Sequence, residues 1–276
     1  MPTYAITGAA SGIGAATRTR LLDAGHAVVG VDIHDVDVVA DLSTPGGRDD
    51  AAKATTELAG GRLDGVICCA GLGPLAGHSG GKLAAVNYFG TVGFVEGIRS
   101  ALEAAGAASV VVVSSSSTTT QPGLPEELVA DCLAGNETDA VTRADELTAI
   151  PTYPATKLAL ARWIRREAIR PEWIERGVRF NAIAPGMIDT PMTGGDDLDP
   201  DLAKALDFYP VPLGRRGRPE EIAALAEFLL GPGSTLMCGS VVFADGGTDA
   251  QLRQDDWPAP WHPTQDELSR HFPPRK

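Results

Sequence analysis

Thr7-Gly8-Ala9-Ala10-Ser11-Gly12-Ile13-Gly14 decides the fold. A short apolar run, Tyr4-Ala5-Ile6, precedes it. An amphipathic segment, Ala15 to Ala24, follows and stops at Gly25. The order reads as strand, Gly-rich turn and helix. Glycine lets the backbone adopt positive φ and approach a ligand closely. The N–H groups that open a helix, together with its dipole, then favour a phosphate. A second strand, Ala27 to Val31, ends in Asp32. An acidic residue about 20 residues past such glycines is placed to bond a ribose 2′-hydroxyl. The spacing is Gly-x-x-x-Gly-x-Gly, and by itself it also suits an ordinary β–α turn.

The 276 residues, 43% of them hydrophobic, are enough for one α/β domain with a substantial core. The net charge of −13 argues against nucleic acid or an anionic membrane as partner. Cys68, Cys69, Cys132 and Cys238 lack metal-ligand spacing and read as free thiols, so no metal is expected. The glycine motif lies too near the start for a signal peptide to precede it, and no apolar run is long enough to span a bilayer. A cytoplasmic protein is expected.

Strand-like and helix-like segments alternate along the chain. Strands are expected at Asp37–Ala40, Asp64–Ala70, Ser109–Val113, Val178–Ile183 and Ser240–Ala244. Helices are expected at Arg48–Leu58, Lys82–Glu103, Thr156–Ile169 and Pro219–Leu230. Repeated βα units imply a parallel sheet covered on both faces, with ligands beyond the carboxyl ends of the strands. Two stretches break the pattern. The insert 121–150 is too long for a plain connection and is expected to hold helices at Leu128–Leu133 and Thr138–Leu147. The tail 249–276 is rich in Pro and carries Trp257 and Trp261, so it either frays or docks on its own or a neighbouring subunit.

Tyr153-Pro154-Ala155-Thr156-Lys157 is the second anchor. Tyr153 and Lys157, at i and i+4, share a helix face, which also suits an ordinary surface pair. An ammonium beside a phenol lowers the phenol's pKa from about 10 and makes it a usable base. The helix is expected to start close to Tyr153, with Thr152 as cap and Tyr153 extended before Pro154. Ser114 to Ser117 leave the strongest strand at the carboxyl end of the sheet. Asn87 is a polar residue in an apolar helical run, either simply satisfied there or marking a local kink.

Taken together these stretches resemble the short-chain dehydrogenase/reductase family, over roughly residues 3–248. Gly8, Ser11, Gly12, Ile13 and Gly14 resemble its cofactor loop. Asp41-Leu42 resembles its adenine-contacting pair, and Cys69-Ala70-Gly71 its Asn-Ala-Gly motif with Cys69 in place of Asn. Asn87, Ser115, Tyr153 and Lys157 match its catalytic tetrad. Ser115 is chosen over Ser114 because the family's active serine is the second after the strand. Pro185-Gly186, Ile188 and Thr190 resemble the segment that holds the nicotinamide, and Asp245-Gly246-Gly247 its closing motif. A narrower resemblance, through Gly30-Val31-Asp32-Ile33, Val39 to Thr44, Cys69 to Pro74, Val86-Asn87-Tyr88-Phe89-Gly90 and the insert, is to the bacterial 3α-hydroxysteroid dehydrogenase/carbonyl reductase branch.

The resemblance implies a single doubly wound Rossmann domain, residues 1–248, with a mostly parallel seven-stranded sheet flanked by helices. It implies NAD as cofactor, with Asp32 and Ile33 beside the adenosine ribose and Asp32 repelling a 2′-phosphate. Tyr153 would then move the proton between a secondary alcohol and a ketone. Lys157 would tune Tyr153 and bind ribose hydroxyls, Ser115 would orient the substrate oxygen, and Asn87 would hold a water. A lid, residues 190–212, would close on a small apolar alcohol or ketone with Met187, Met192, Leu198, Leu202, Leu206, Phe208 and Tyr209. A 3α-hydroxysteroid and an aromatic alcohol are both open, as is a non-catalytic NAD-binding module. The family implies a homodimer or homotetramer.

Overall fold

Val110 and Val112 join the core on one face of the sheet, and Val111 and Val113 join that on the other. That alternation is the period of a pleated strand, and burial on both sides is why the run has no polar residue. The strands are β1 (Thr3–Thr7), β2 (Ala27–Asp32), β3 (Val38–Val39), β4 (Gly65–Cys68), β5 (Ser109–Val113), β6 (Arg179–Pro185) and β7 (Val241–Ala244). They form one sheet in the order β3-β2-β1-β4-β5-β6-β7. Every pairing is parallel, so the expectation of a mostly parallel sheet becomes a wholly parallel one. The computed structural model describes residues 1–75, 77–194 and 209–272.

Helices cover both faces. On one face α1 (Gly12–Asp23) and the helix Pro219–Leu230 bury Leu21, Ile222 and Leu229 against Ile6, Ile67 and Ile183. On the other lie α2 (Pro45–Leu58), α3 (Gly80–Ala84), α4 (Thr91–Gly97), α5 (Arg99–Glu103) and, further along, α9 (Ala149–Glu167). Their Phe94, Ile98, Leu102, Leu160 and Trp163 pack with Val66, Val110 and Phe180. Between β5 and α9 come α6 (Ser117–Thr120), α7 (Glu126–Ala134) and α8 (Glu137–Leu147). The insert therefore has the two helices expected of it, and they bury Leu128, Val129, Cys132, Ala140 and Ala144.

Local chemistry sets the helix ends. Gly25 takes φ +81° after α1, and the N–H groups of Gly25 and His26 return to Leu22 and Leu21 at 2.9 and 3.0 Å. Thr44 caps α2 by accepting from Gly47 N at 3.1 Å, with Pro45 at the first position.

Two expectations need correction. The run Lys82–Glu103 is not one helix: a π-helical stretch, Ala85–Gly90, separates α3 from α4, and α5 follows a break at Ile98. The kink surrounds Asn87, as one of its two readings required. Helix α9 starts at Ala149, not near Tyr153, and Pro154 lies inside it. Thr152 is a helical residue, its hydroxyl donating to the Thr148 carbonyl at 2.6 Å. Pro154 has no N–H, so the Ile150 carbonyl one turn back receives no bond from its position. In the tail Trp257 and Trp261 are 61% and 58% exposed, and Trp261 packs edge-on against His271 of the same tail. A short helix, Gln265–His271, opens with a capping box from Thr264 and Glu267.

Candidate active site

The cleft lies above the carboxyl ends of β1, β2, β4 and β5, near the β1–β4 switch in strand order, and has a volume of about 420 Å³. Its floor is the turn after β1. Gly8 sits at φ +71°, and a Cβ there would lie 2.6 Å from Ala70 N. A Cβ on Gly14 would lie 2.0 Å from the Gly8 carbonyl oxygen. These two glycines let the turn and the start of α1 close on each other. Ser11 precedes α1 in extended geometry and makes no side-chain cap. The first-turn N–H groups of Gly12, Ile13 and Gly14 therefore open on the cleft without a side-chain partner.

Asp32 and Ile33 line the far end of the cleft with His34. The Asp32 carboxylate accepts from Ala10 N at 2.9 Å and Ile33 N at 2.7 Å, which aims it across the turn. Arg18, the cation nearest this turn in the sequence, pairs instead with Asp37 at 3.6 Å. Asp41 and Leu42 form the next wall. The Ser43 hydroxyl, then its N–H at 2.9 Å, hold the Asp41 carboxyl below its ordinary range, with Lys82 and Arg48 adding smaller pulls. Cys69, Ala70 and Gly71 line the middle. Ala70 N donates to the Thr7 hydroxyl at 3.2 Å, so this segment is tied to β1 without the side chain at position 69. Burial holds the Cys69 thiol well above its ordinary pKa and pushes Cys68 to about 12.

The reactive end holds Ser114, Ser115, Tyr153 and Lys157. Lys157 is 4% exposed, and its ammonium donates to the Val113 carbonyl at 2.9 Å. Burial pulls it down to about 8, against the opposing Cys69 and Cys68 thiols. Tyr153 departs from expectation: its pKa is raised, not lowered. Burial is the largest cause and Tyr209 adds to it, while the Ser115 hydroxyl works the other way. Lys157 does not offset the burial, because its ammonium is 5.9 Å from the phenol ring centre and is spent on Val113.

The four serines separate by geometry. Ser114 Oγ donates to the Lys157 carbonyl at 2.9 Å and is fully committed to joining β5 with α9. Ser115 Oγ accepts from Ser117 N and Ser117 Oγ at 3.2 and 2.9 Å and neighbours the Tyr153 phenol. Ser116 Oγ faces the Tyr209 hydroxyl at 3.2 Å, and Thr120 Oγ1 faces it at 2.8 Å.

Among the candidate catalytic and cofactor residues Asn87 alone does not line the cleft, and it is fully buried behind it; Met187 and Tyr209, expected of the lid, do not line it either. It accepts from Leu72 N at 2.7 Å and donates to the Leu72 carbonyl at 3.0 Å. Gly71 separates Asn87 from Lys157, and a Cβ there would meet Asn87 Oδ1 at 3.2 Å and Lys157 Nζ at 3.3 Å. Pro185, Gly186, Ile188 and Thr190 close the cleft on the opposite side, with Pro191, Met192 and Thr193. Of the expected lid, Leu198, Leu202, Leu206 and Phe208 lie outside the described residues. The sequence reading missed His34, Lys82 and Val86 as wall residues. For Lys82 the only signal was its place one turn before Asn87.

These features fit a dinucleotide: N–H groups for a pyrophosphate, a carboxylate for a ribose, and a cleft continuous from Asp32 to Tyr153. Among the described residues no group of His, Cys, Asp or Glu could hold a metal ion, and no helix is long and apolar enough to cross a membrane.

A family model described as Enoyl-(Acyl carrier protein) reductase matches residues 139–249. The chain is 37% identical over 258 residues to 3-alpha-hydroxysteroid dehydrogenase/carbonyl reductase of Comamonas testosteroni, covering 92% of this chain and 98% of that protein. It is similar to the crystal structure of the 3-alpha-hydroxysteroid dehydrogenase from Pseudomonas sp. B-0831 complexed with NADH, at TM-score 0.86 and 41% identity. That match covers 92% of this chain and 99% of the other. The crystal structure of levodione reductase is similar at TM-score 0.69 and 26% identity, over 90% of this chain and 98% of that one.

Proposed function

The chain belongs to the short-chain dehydrogenase/reductase family, and from that premise we propose that it interconverts a secondary alcohol and a ketone with NAD, using Tyr153 as the proton carrier. The observation that carries the reading is the convergence of Ser115, Tyr153 and Lys157 on one end of the same cleft whose other end holds Asp32. A module that only binds a dinucleotide does not need that trio. When bound, the nicotinamide supplies the hydride chemistry.

The protein supplies position and proton transfer. Ser115 donates to the substrate oxygen and fixes it against Tyr153. Tyr153 takes the proton as an alcohol is oxidised and returns it as a ketone is reduced. Lys157, held in place by the Val113 carbonyl, bonds ribose hydroxyls with its remaining ammonium protons. Ile188 and Thr190 hold the nicotinamide amide. Asn87 fixes the Leu72 backbone and, through Gly71, the space beside the Lys157 ammonium. Asp32 accepts from the adenosine ribose and disfavours a 2′-phosphate.

The substrate class we propose is a 3α-hydroxysteroid or its ketone. Support comes from the names of the two relatives similar over nine-tenths of the chain and from apolar walls at Leu72, Ile188 and Met192. The test is NADH formation from NAD with a panel of steroid, aromatic and aliphatic secondary alcohols. Turnover of 3α-hydroxysteroids supports the whole reading. Turnover confined to another class keeps the chemistry and discards the steroid.

A further inference from the structure

Arg48 is a buried arginine that the mechanism does not use. It lies in the first turns of α2, only 6% exposed, and makes four polar contacts. Its Nε donates to the Leu42 carbonyl at 2.8 Å, and one terminal nitrogen donates to the Ser43 carbonyl at 3.1 Å. Both terminal nitrogens bond Glu137, one of them at 2.8 Å to Oε2 and the other to Oε1, in a two-pronged pair. Glu137 opens α8, where a carboxylate also suits the positive end of the helix.

The pair therefore joins the insert to the backbone of the Asp41–Ser43 turn, across 89 positions of sequence. The surroundings are fitted to it. A Cβ on Gly93 would lie 2.8 Å from Arg48 Cδ. A Cβ on Gly90, in the π-helical stretch, would lie 3.1 Å from the Leu42 carbonyl oxygen. Helix α8 grips a second wall in the same way: Asp145 Oδ1 accepts from Gly81 N at 2.6 Å, next to Lys82 in the cleft.

We propose that Arg48 and Glu137 are positioning residues for the adenine end of the cleft, through which the insert sets the shape of the Asp41–Leu42 wall. The inference rests on the reading of that cleft as a dinucleotide site. Neither residue touches the cleft, so both act through the Leu42 and Ser43 carbonyls. Without Glu137 the guanidinium is left buried with half its partners, and the turn it holds is free to shift.

The test is calorimetric titration of NADH, AMP and NMN into the wild type, Glu137→Ala and Glu137→Gln, beside Glu127→Ala. Glu127 pairs with Arg143 within the insert and does not reach Arg48. Glu137→Ala should weaken AMP and NADH about tenfold, within the usual range of coupling between sites, and leave NMN unchanged. The KM for NAD should rise with kcat held within about twofold. Glu137→Gln, which keeps the shape, should show the same pattern at smaller size, and it carries the test if the alanine variant does not fold. Equal weakening of all three ligands, the same loss from Glu127→Ala, or unchanged AMP affinity would each overturn the inference. A wild type that binds neither NADH nor AMP fails the reading of the cleft itself, a result separable from normal binding that ignores Glu137.

Discussion

The Lys157 ammonium stands 5.9 Å from the centre of the Tyr153 ring and donates a hydrogen bond to the Val113 carbonyl at 2.9 Å. The two side chains share a face of α9, yet the lysine is anchored to β5 rather than to the phenol. Burial therefore dominates both groups, raising Tyr153 and lowering Lys157 to about 8. Neither sits at its ordinary value, which is common where a protein does acid–base work.

Alcohol oxidation needs Tyr153 as a base, and its pKa is raised, so the competent fraction grows as pH rises. kcat/KM for oxidation should climb through the alkaline range, and ketone reduction should favour lower pH. A flat oxidation profile from neutral to strongly alkaline pH would show that Tyr153 does not carry the proton.

Lys157 gives a stability prediction of definite sign. Its folded pKa of about 8 lies below the ordinary 10.5, so the unfolded chain holds the proton more tightly. The folded state is penalised in full below about pH 8, by roughly 3 kcal/mol, and the penalty fades as pH rises toward 10.5. Lys157→Met should be inactive yet melt at a higher temperature than wild type near neutral pH, with the gap closing in alkali. A variant that melts lower at every pH would contradict the assignment.

The serines should divide by property. Ser115→Ala should cut kcat by about ten- to a hundredfold with little change in melting temperature, since its partner in turnover is the substrate. Ser114→Ala removes the hydroxyl bond that ties β5 to the Lys157 carbonyl of α9 and should cost about 0.5–1.5 kcal/mol of stability, with more activity kept. Reversal of the two phenotypes, read by steady-state kinetics and thermal melts, would return the catalytic role to Ser114.

Asp32→Ala removes the carboxylate proposed to disfavour a 2′-phosphate, and also the acceptor for Ala10 and Ile33 N–H. The ratio of kcat/KM for NADP over NAD should rise by at least about tenfold, with NAD use falling as well. A wild type that already prefers NADP would refute the role given to Asp32.

Much of this was legible in the sequence because it is local. Gly8 to Gly14, the valines of β5 and the Pro219–Leu230 helix each carry their signal within a dozen residues, and the family's motif order placed most of the cleft. What escaped depends on burial or on distant partners. The Tyr153 pKa was misjudged because i, i+4 spacing gives proximity but neither depth nor the competing Val113 carbonyl. The break at Ala85–Gly90 is only one option at Asn87 from sequence, since an apolar helical run looks the same with or without a π turn. The start of α9 is not legible because a proline usually marks a boundary, whereas Pro154 sits inside the helix. The Arg48–Glu137 pair left no trace, because a surface arginine and a buried one are the same letter.

The most direct measurement compares wild type with Tyr153→Phe for NADH formation from NAD and a 3α-hydroxysteroid, with NADH binding measured on both. The account predicts turnover by the wild type, a loss of about a hundred- to ten-thousandfold in the variant, and NADH affinity little changed. Comparable turnover by Tyr153→Phe, or tight NADH binding by a wild type that oxidises no secondary alcohol, would contradict it.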